Sequence, residues 1–555
     1  MAPTRRLDAY WFHERQWDEY ADLRDAFEWE WPDRFNMAAY VCDRWADNRP
    51  ERPALRVEGR RSETLTFADL DAAASRLAGH LRASGVERGD RVGVNAPQCA
   101  ETAISHIACW KIGAVSVPLS TLFGPEAVEY RLSDAGAVAA IVHDDALAQF
   151  REATAEMDLQ TVALVGEADP ERDVEVAFET ALTGNEPDFP AVDTAAEEDA
   201  LLIYTSGTTG NPKGVRHAHR MLLGVLPLFL TSFCNLDLRD GDTFWTPSEW
   251  AWVASLFDVV MPALFYGQSV VARESAGSFD PAAAFGTLER HGVTEFFAPP
   301  TALRMMMTVD ADPVGSVRTV ASGGESLGAS IREWADDVFE GAAVHEAYGQ
   351  TEANMVAGDC TALAESRDGY IGLPGPGHEI AILDPETAEP TVSAGESGEI
   401  AVRYEGNPVC FREYWDEPEQ TAAKVVNGWL LTEDLGRMDE DGYLAFEARK
   451  DDVIISAGYR IGPVEIEESL AGHEAVTDAA VVGVPDDERG EVPKAFVVLA
   501  DGWAPTDETR QILREHVRDR LAKYEYPRDI EFRDTLPKTA TGKLRRASLK
   551  TESGR

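Results

Sequence analysis

The chain has 555 residues, 44% of them hydrophobic. A single hydrophobic core stops growing at roughly 250 to 300 residues, so this length predicts at least two domains. Lysine and arginine together number 51 against 98 aspartate and glutamate residues, which gives a formal net charge of −47. This balance argues against nucleic acid and membrane surfaces as partners, because both attract proteins through positive fields.

The acidic residues are spread along the whole chain, which is typical of a surface that holds water in a salt-rich cytoplasm. We therefore expect a halophilic protein, of haloarchaeal source. The N-terminus has no apolar signal region, and the most apolar run, residues 221–233, is too short to span a bilayer. These features predict a cytoplasmic location. Six cysteines stand far apart with no CxxC pair, so we expect buried, reduced thiols.

Two stretches of the chain alternate helix-length patterns with short apolar runs. The first covers residues 65–145 and the second residues 201–325. Such alternation predicts parallel sheets covered on both faces by helices, here in two α/β layers. The acidic stretch between them, residues 166–199, predicts an edge excursion or a linker.

The pattern of apolar and polar residues changes after residue 370. Residues 371–444 contain short β runs separated by turns, which predict a small antiparallel barrel or sheet. After residue 449, two amphipathic helices and two apolar strands predict a compact α+β unit. The predicted fold class is therefore α/β. Residues 1–449 form a large N-terminal domain with two α/β layers plus a β-barrel-like region, and residues 450–555 form a small mobile α+β C-terminal domain.

The strongest chemical signal is the segment YTSGTTGNPKG, directly after the apolar run LLIY. Backbone N–H groups and hydroxyls in such a loop can surround phosphate oxygens, and its lysine adds positive charge. A plain surface turn is the alternative, which the preceding strand and the dense hydroxyls disfavour. The P-loop pattern G-x-x-x-x-G-K-[ST] is not matched. The candidate phosphate-binding residues are Thr205, Ser206, Gly207, Thr208, Thr209, Gly210 and Lys213.

This segment resembles the phosphate loop of the adenylate-forming superfamily, which includes acyl-CoA synthetases, luciferases and peptide-synthetase adenylation domains. A second segment, EAYGQTE, is similar to the family's YGxTE. The resemblance implies that this stretch flanks ATP, that Thr351 contacts the α-phosphate, and that Glu352 binds Mg2+ with Thr205. The residues that it assigns to the nucleotide here are Glu346, Ala347, Tyr348, Gly349, Gln350 and Thr351.

Two later segments resemble the family's ribose-binding motifs. WLLTEDLG is similar to GW-x-x-TGD, with Glu433 in place of the glycine. The resemblance implies that Asp434 accepts hydrogen bonds from the ribose hydroxyls. ARKDDV is similar to GR-x-D-D, with Ala448 in place of the glycine, which implies a nucleotide contact for Arg449 and a hinge at Asp451.

The C-terminal unit carries two further segments of the family. SAGYRIGP is similar to a loop that lines the CoA tunnel, and LPKTATGK is similar to a motif whose last lysine enters the active site during adenylation. The resemblance therefore makes Lys543 both catalytic and ATP-binding, beside Thr205 and Glu352 as catalytic residues. Its CoA-binding residues are Ala457, Gly458, Tyr459 and Arg460.

The subgroup that the chain resembles most is that of the medium-chain and related acyl-CoA synthetases. The resemblance assigns four residues to the acyl pocket, namely Trp250, Trp252, Gly324 and Gly349. Tryptophans at 250 and 252 suit a hydrophobic core equally well. Acetate-specific relatives carry a tryptophan at the position of Gly349, so the glycine implies an open pocket floor and an acid larger than acetate. Three histidines near these motifs, His217, His219 and His345, lack metal spacing, and we expect them to be structural.

The resemblance implies an AMP-forming acyl-CoA synthetase that uses ATP, Mg2+ and CoA to convert a short- to medium-chain or aromatic carboxylic acid into its CoA thioester. The alternatives are an acetyl-CoA synthetase, an enzyme that loads a carrier protein and a luciferase-like oxygenase. A nucleotide-binding module without ligase activity is the alternative from another class. The expected partners are small molecules, and the sequence leaves the acid and the oligomeric state open.

Overall fold

The computed structural model of the protein describes residues 5–205, 212–274, 279–384, 387–390, 393–456, 459–486, 489–500, 502–521, 526–538 and 544–553. Within these ranges the strands form four sheets. Among the helices of these ranges, none is long and apolar enough to cross a membrane. The apolar run at residues 221–233 instead lies buried in the protein core.

The strands, in chain order, are β1 (Pro53–Glu58), β2 (Glu63–Thr66), β3 (Arg91–Asn95), β4 (Val115–Leu119), β5 (Ala137–His143), β6 (Thr161–Val165), β7 (Glu175–Ala177), β8 (Asp199–Thr205), β9 (Lys213–Ala218), β10 (Thr243–Trp245), β11 (Ser269–Arg273), β12 (Glu295–Phe297), β13 (Thr319–Gly323), β14 (Ala343–Gln350), β15 (Asn354–Gly358), β16 (Leu373–Pro374), β17 (Ile380–Leu383), β18 (Gly398–Arg403), β19 (Glu413–Tyr414), β20 (Val425–Val426), β21 (Trp429–Met438), β22 (Leu444–Arg449), β23 (Ile454–Ser456), β24 (Tyr459–Ile461), β25 (Val476–Asp486), β26 (Gly490–Leu499) and β27 (Asp529–Phe532).

The α-helices are α1 (Tyr20–Ala26), α2 (Arg44–Asn48), α3 (Phe67–Ala83), α4 (Ala100–Ile112), α5 (Pro125–Ala135), α6 (Asp144–Ala153), α7 (Phe178–Leu182), α8 (Met221–Leu228), α9 (Val253–Ser255), α10 (Met261–Phe265), α11 (Pro281–His291), α12 (Pro300–Met306), α13 (Ala329–Val338), α14 (Pro418–Lys424), α15 (Pro463–Ala471), α16 (Asp507–Arg520) and α17 (Arg546–Ser553). A 3-10 helix covers Asp8–Glu14, and π-helical turns cover Ala39–Asp43, Phe229–Phe233 and Leu256–Val260.

The first sheet has eight strands in the order β19-β9-β8-β4-β3-β5-β6-β7. Strands β3 to β8 run parallel, as the alternating pattern of residues 65–145 predicts. Strands β9 and β19 extend this sheet in antiparallel orientation. At the opposite edge lies β7, which comes from the acidic stretch 166–199, so the predicted edge excursion is confirmed.

The second sheet has nine strands in the order β16-β15-β14-β13-β12-β10-β11-β1-β2. Its six central strands are parallel, and the strands at both edges are antiparallel. The second α/β layer predicted from residues 201–325 is therefore confirmed, with β14 continuing it.

The main hydrophobic core lies between the two sheets. Successive side chains of a strand point to opposite faces, so Ala139 and Ile141 of β5 enter this core while Ala140 and Val142 face the outer core beneath α5 and α6. Helix α4 is buried along its whole length, including its polar residues Glu101, His106 and Lys111. The two predicted α/β layers therefore share one hydrophobic core.

All six cysteines are buried and free, as the sequence predicts. The fold also brings Cys42 beside Asp43 and Asp71, a grouping that linear spacing does not reveal. The ammonium of Lys111 lies 2.7 Å from a carboxylate oxygen of each aspartate. The two half-buried carboxylates therefore supply the negative charge that the fully buried ammonium of Lys111 needs.

The third and fourth sheets follow in chain order. The third consists of β17, β18, β20, β21 and β22, all antiparallel, as predicted for residues 371–444. The fourth lies after residue 449 and contains β23 to β27, covered by helices α15 to α17. Strand β22 ends at Arg449 and β23 begins at Ile454, and the domain boundary after residue 449 remains a prediction.

Candidate active site

Candidate residues from four segments of the large domain lie at the carboxyl ends of parallel strands. Thr205 ends β8, and the loop with Trp250 and Trp252 follows β10. Gly324 follows β13, and Gly349 is the second-last residue of β14. In open α/β sheets ligands bind outside the carboxyl ends of the strands, so these positions define one candidate site.

The predicted phosphate loop joins two paired strands. Strands β8 and β9 are antiparallel, and Thr205 is the register partner of Lys213. The fold therefore holds the first and last candidate residues of the loop opposite each other. Five candidate residues of the same loop lie outside the described residues, namely Ser206, Gly207, Thr208, Thr209 and Gly210.

Glu352, the predicted magnesium ligand, lies beside the end of this hairpin. Its Oε1 accepts a hydrogen bond of 2.6 Å from the hydroxyl of Tyr414. Burial and the Glu352 carboxylate both raise the pKa of Tyr414, so the hydroxyl stays protonated and donates. The ammonium of Lys213 lies 5.1 Å from the centre of the Tyr414 ring. Tyr414 therefore links the carboxylate to the lysine of the loop.

His217 connects the same hairpin to the QTE segment. Burial lowers its pKa to about 4, so the ring is neutral at pH 7. Its Nε2 lies 2.7 Å from the carbonyl oxygen of Thr351, which can only accept, so Nε2 carries the proton. His217 is therefore structural, as the sequence predicts, and it holds the backbone of Thr351.

Tyr348, Asp434 and Arg449 form a polar cluster in which Tyr348 and Asp434 are buried and Arg449 is half-buried. The hydroxyl of Tyr348 donates a hydrogen bond of 2.7 Å to Oδ2 of Asp434. Asp434 on β21 is the register partner of Arg449 on β22, and the Nε of this arginine lies 3.2 Å from Oδ1 of the aspartate. The fold thus brings together one residue from each of three sequence motifs, with the guanidinium of Arg449 beside the carboxylate of Asp434.

The two glycine replacements near this cluster differ in backbone conformation. Ala448 lies buried within β22, where an alanine fits ordinary strand backbone. Glu433 has a φ of +63°, in the left-handed region that favours glycine. Its carboxylate lies 3.5 Å from the ammonium of Lys424 and 3.4 Å from the guanidinium of Arg449. Glu433 therefore has a strained backbone conformation, and its carboxylate pairs with Arg449, which is predicted to bind the nucleotide.

The predicted hinge lies next to Arg449. The carbonyl of Asp451 accepts a hydrogen bond of 2.8 Å from the ammonium of Lys550. Its carboxylate lies 3.8 Å from Nε of Arg449. The catalytic candidate Lys543 and the CoA candidates Ala457 and Gly458 lie outside the described residues, and Tyr459 and Arg460 are described only as backbone of β24.

The loop that carries Trp250 and Trp252 accepts hydrogen bonds from Thr121, which follows β4 of the first sheet. Oε1 of Glu249 accepts hydrogen bonds from the backbone N–H and the hydroxyl of Thr121, at 2.8 Å and 2.6 Å. Trp250 is fully buried in the central core. Trp252 is half-buried and packs edge to face on Phe123, with ring centres 6.0 Å apart. The two tryptophans thus point into different surroundings.

Gly349 lies in a β-bulge of the β14–β15 hairpin, and the backbone of β15 covers it. A Cβ atom at this position would lie 1.8 Å from the carbonyl oxygen of Asn354 and 2.6 Å from Cα of Met355. The open floor expected from the missing side chain is therefore wrong, because main chain fills that direction. The placement of Gly349 and Gly324 beside the acyl group remains a prediction. Gly324 has a φ of +93°, which explains its glycine.

Tyr414 and Glu249 belong to none of the motifs that the sequence predicts to be functional. Each is remote in sequence from the residue that it contacts, so no local signal marks them. A polar cavity of about 670 Å³ also exists at the opposite end of the second sheet, against the start of β14. None of the candidate residues lines that cavity, so the chemistry lies elsewhere.

Comparisons with known proteins agree with this geometry. The profile of the family described as "AMP-binding enzyme" matches residues 42–415, and that of the "AMP-binding enzyme C-terminal domain" matches residues 465–543. The mouse (Mus musculus) acyl-coenzyme A synthetase ACSM3, mitochondrial, is 33% identical over 553 residues, covering 97% of this chain and 93% of that protein. The acetyl-coenzyme A synthetase of Bacillus subtilis (strain 168) is 32% identical, covering 93% and 90% of the two chains.

A solved structure shares the whole architecture. The anthranilate CoA ligase AuaEII, in complex with anthranoyl-AMP, superposes with a TM-score of 0.86 at 27% identity, covering 94% of this chain and 98% of that one. Both family profiles, full-length relatives and this structure lead to the same assignment. The chain belongs to the AMP-binding enzyme family and is an AMP-forming acyl-CoA synthetase.

Proposed function

We propose that this synthetase activates a short- to medium-chain or aromatic carboxylic acid in two half-reactions at one site. The observation that supports this proposal is the convergence of the Thr205–Lys213 pair, Glu352 and the cluster around Asp434 at the strand ends. The relatives named for acetyl-CoA and anthranilate span small and aromatic acids, which is compatible with this range.

In the first half-reaction a carboxylate oxygen of the acid attacks the α-phosphorus of ATP, and the bond to pyrophosphate breaks. Both reactants are anionic, so the site must offset negative charge and align the groups. Lys213 and Lys543 supply positive charge, and the residues of 205–210 and 346–351 surround the nucleotide. Asp434 accepts hydrogen bonds from the ribose hydroxyls. Tyr348 orients the carboxylate of Asp434, and Arg449 lies beside that carboxylate.

The residues at Glu352 fit a magnesium ion. A carboxylate and a threonine hydroxyl are oxygen donors of the kind that Mg2+ prefers. The hydrogen bond from the Tyr414 hydroxyl uses Oε1 of Glu352 and does not involve the other carboxylate oxygen. Glu352 and Thr205 would hold the ion, whose charge offsets that of the triphosphate.

In the second half-reaction the thiol of CoA attacks the acyl carbonyl carbon and AMP leaves. We propose that the C-terminal domain, residues 450–555, turns about Asp451 between the two steps. This turn would withdraw Lys543 and bring residues 457–460 to the CoA tunnel. The position of Asp451 directly after β22, beside Arg449, supports its role as the hinge.

The salt requirement is a separate proposal. A formal charge of −47 repels itself when unscreened, so we propose a halophilic enzyme that needs molar potassium or sodium chloride. Thermal unfolding measured from dilute buffer to molar salt tests this. Equal stability across the series would refute the halophilic proposal and leave the enzyme assignment intact. The cytoplasmic location stays a prediction from the sequence.

The test of function is a screen of carboxylic acids in high potassium chloride. Acid-dependent exchange of pyrophosphate into ATP reports adenylation, and CoA-dependent release of AMP reports thioester formation. A nucleotide-binding module gives no exchange with any acid. An enzyme that loads a carrier protein gives exchange without CoA-dependent AMP release.

Two variants separate the half-reactions. Lys543→Ala should lose adenylation by about 10²- to 10³-fold while keeping thioester formation from supplied acyl-adenylate. Gly458→Leu should do the reverse by filling the CoA tunnel. Loss of the same half-reaction in both variants would contradict the proposed domain turn.

A further inference from the structure

Helix α17 is fixed to the fourth sheet by packing and by an ion pair. Its Leu549 is 1% exposed and packs against Val482 of β25 and Phe496 of β26. The guanidinium of Arg546, the first residue of the helix, binds the carboxylate of Glu467 on α15 through two contacts, at 2.5 Å and 3.1 Å. Helix α17 therefore moves with the fourth sheet and α15 as one unit.

The same helix also holds the chain at the predicted hinge. The ammonium of Lys550 donates a hydrogen bond of 2.8 Å to the carbonyl oxygen of Asp451. The same ammonium lies 3.5 Å from Oδ1 of Asp452, and the guanidinium of Arg546 lies 3.5 Å from Oδ2 of that aspartate. Two cations of α17 thus bind the carbonyl of Asp451 and the carboxylate of Asp452.

Lys450, directly before the hinge, is held by the third sheet instead. Its backbone N–H donates a hydrogen bond of 2.8 Å to the carbonyl of Glu433 on β21. Its ammonium lies 2.9 Å from the carboxylate of Glu399 on β18. Lys450 is therefore bound to one structural unit and Asp452 to the next.

These contacts limit where the backbone can turn. Each residue has two soft backbone dihedrals, and a rotation about either dihedral of Asp451 carries its carbonyl along with the residues that follow, so the bond from Lys550 survives. A rotation at Asp452 would break that bond. Two contacts cross the pivot and would open as it turns. They are the hydrogen bond of 3.0 Å from the N–H of Asp452 to the carbonyl of Arg449, and the approach of 3.8 Å between Arg449 and the carboxylate of Asp451.

We propose that Lys550 and Arg546 are positioning residues that confine the domain turn to the backbone dihedrals of Lys450 and Asp451. This inference rests on the proposed function. A pivot of two residues gives each half-reaction one defined orientation of the C-terminal unit. A longer flexible hinge would place Lys543 and the CoA-binding loop loosely, and catalysis requires them to be placed accurately.

The first test is Lys550→Met, which keeps the apolar stem of the side chain and removes its charge. A misplacement of about 1 Å can cost about 10²-fold in rate, so the kcat of both half-reactions should fall by about tenfold or more. The KM for ATP should not change, because Thr205 and Asp434 lie outside the C-terminal unit. Lys550→Arg keeps a charged donor and should restore both rates.

A second variant approaches the same contact from its other side. Asp452→Asn removes the charge that Lys550 and Arg546 share and leaves the pair between Arg546 and Glu467 in place. It should lower the same two rates. Because both changes remove one interaction, the double variant should lose little more than either single variant.

Distances between spin labels report the pivot without turnover. All six native cysteines are buried, so cysteines introduced at the exposed residues Asp337 on α13 and Glu508 on α16 can be labelled selectively. The wild type should give one narrow distance distribution with ATP and Mg2+ and a different narrow one with AMP and CoA. Lys550→Met should broaden both distributions.

The matched control is Lys494→Met, since the ammonium of Lys494 lies 3.3 Å and 2.9 Å from the carboxylates of Asp529 and Glu531 within the fourth sheet. The control should keep the rates and the distributions of the wild type. Lys550→Met with both wild-type rates would overturn the inference, and so would lost rates with distributions as narrow as those of the wild type. Failure of Lys550→Arg to restore the rates would also count against it.

Two other results would reject the proposed function. One is the absence of pyrophosphate exchange with every acid. The other is a wild type whose two distance distributions coincide, which would remove the domain turn itself and with it the need for a pivot.

Discussion

The sharpest prediction concerns the hairpin over Gly349. Gly349→Ala adds one carbon at 1.8 Å from the carbonyl oxygen of Asn354, whereas ordinary van der Waals contact begins near 3.4 Å. The other nearest atoms are the carbonyl carbon of Asn354 and Cα of Met355, also main chain. A rotamer change cannot relieve this contact, so β14 and β15 must separate by about 1.6 Å.

This separation would displace the residues that follow Gly349 at the candidate site. A misplacement of about 1 Å in a catalytic site can cost about 10²-fold in rate. We therefore expect Gly349→Ala to lower the rate of acid-dependent pyrophosphate exchange by about 10²-fold or more for every acid, acetate included.

The matched control is Gly315→Ala, because a Cβ at Gly315 has no heavy atom within 4 Å and its φ is not in the left-handed region. The control should exchange pyrophosphate at the wild-type rate. A Gly349→Ala enzyme that keeps more than about a tenth of the wild-type rate would refute the reasoning. So would a variant that lost activity on long acids but kept it on acetate, since that result describes a pocket floor.

Three further predictions follow from buried contacts. Tyr348→Phe removes the hydroxyl that donates to Asp434. A hydrogen bond to a charged group is worth about 1.5 kcal/mol, so the KM for ATP should rise about tenfold. A KM for ATP that stays constant while thermal stability falls would limit Tyr348 to a structural role. Glu433→Ala loses the ion pairs of Glu433 but keeps its φ of +63°, whereas Glu433→Gly also relieves the backbone strain. In urea, the free energy of unfolding of the glycine variant should therefore exceed that of the alanine variant by about 1 kcal/mol. Equal unfolding midpoints of the two variants would contradict the strain. Burial raises the pKa of Glu346 from 4.5 to about 7, so the folded chain holds a proton that the unfolded chain releases between these values. The stability from this proton is complete below pH 4.5 and falls as the pH rises to 7. The free energy of unfolding of Glu346→Gln, relative to that of the wild type, should therefore increase from pH 4.5 to pH 7. A difference that stays constant across this range would contradict the raised pKa.

Much of the fold follows from local pattern. The apolar runs predicted as strands are strands, since alternation between helix-length and strand-length segments reports how each is buried. Thr205 and Glu352 lie at or just after the ends of β8 and β14, where a chain leaving a parallel sheet exposes backbone and side chains to a ligand. Asp434 and Arg449 lie on antiparallel strands, and only their motifs mark them. Thr205, Glu352, Asp434 and Arg449 could therefore be selected from the sequence alone.

The contacts between motifs could not be predicted in the same way. Tyr414 meets Glu352 across 62 positions, and His217 meets Thr351 across 134. No periodicity or propensity relates residues so far apart, because their approach depends on how the sheets pack.

Gly349 and Asp258 show the same division most clearly. The sequence specifies a glycine before the QTE segment and an aspartate within an apolar run, and it identifies neither reason. In the folded chain the backbone of β15 crosses the glycine, and the aspartate is buried among apolar residues of the central core. Local preference thus selected the strands and the motifs, and tertiary packing decided which atoms occupy the space around them, because excluded volume and burial exist only between segments that folding brings together.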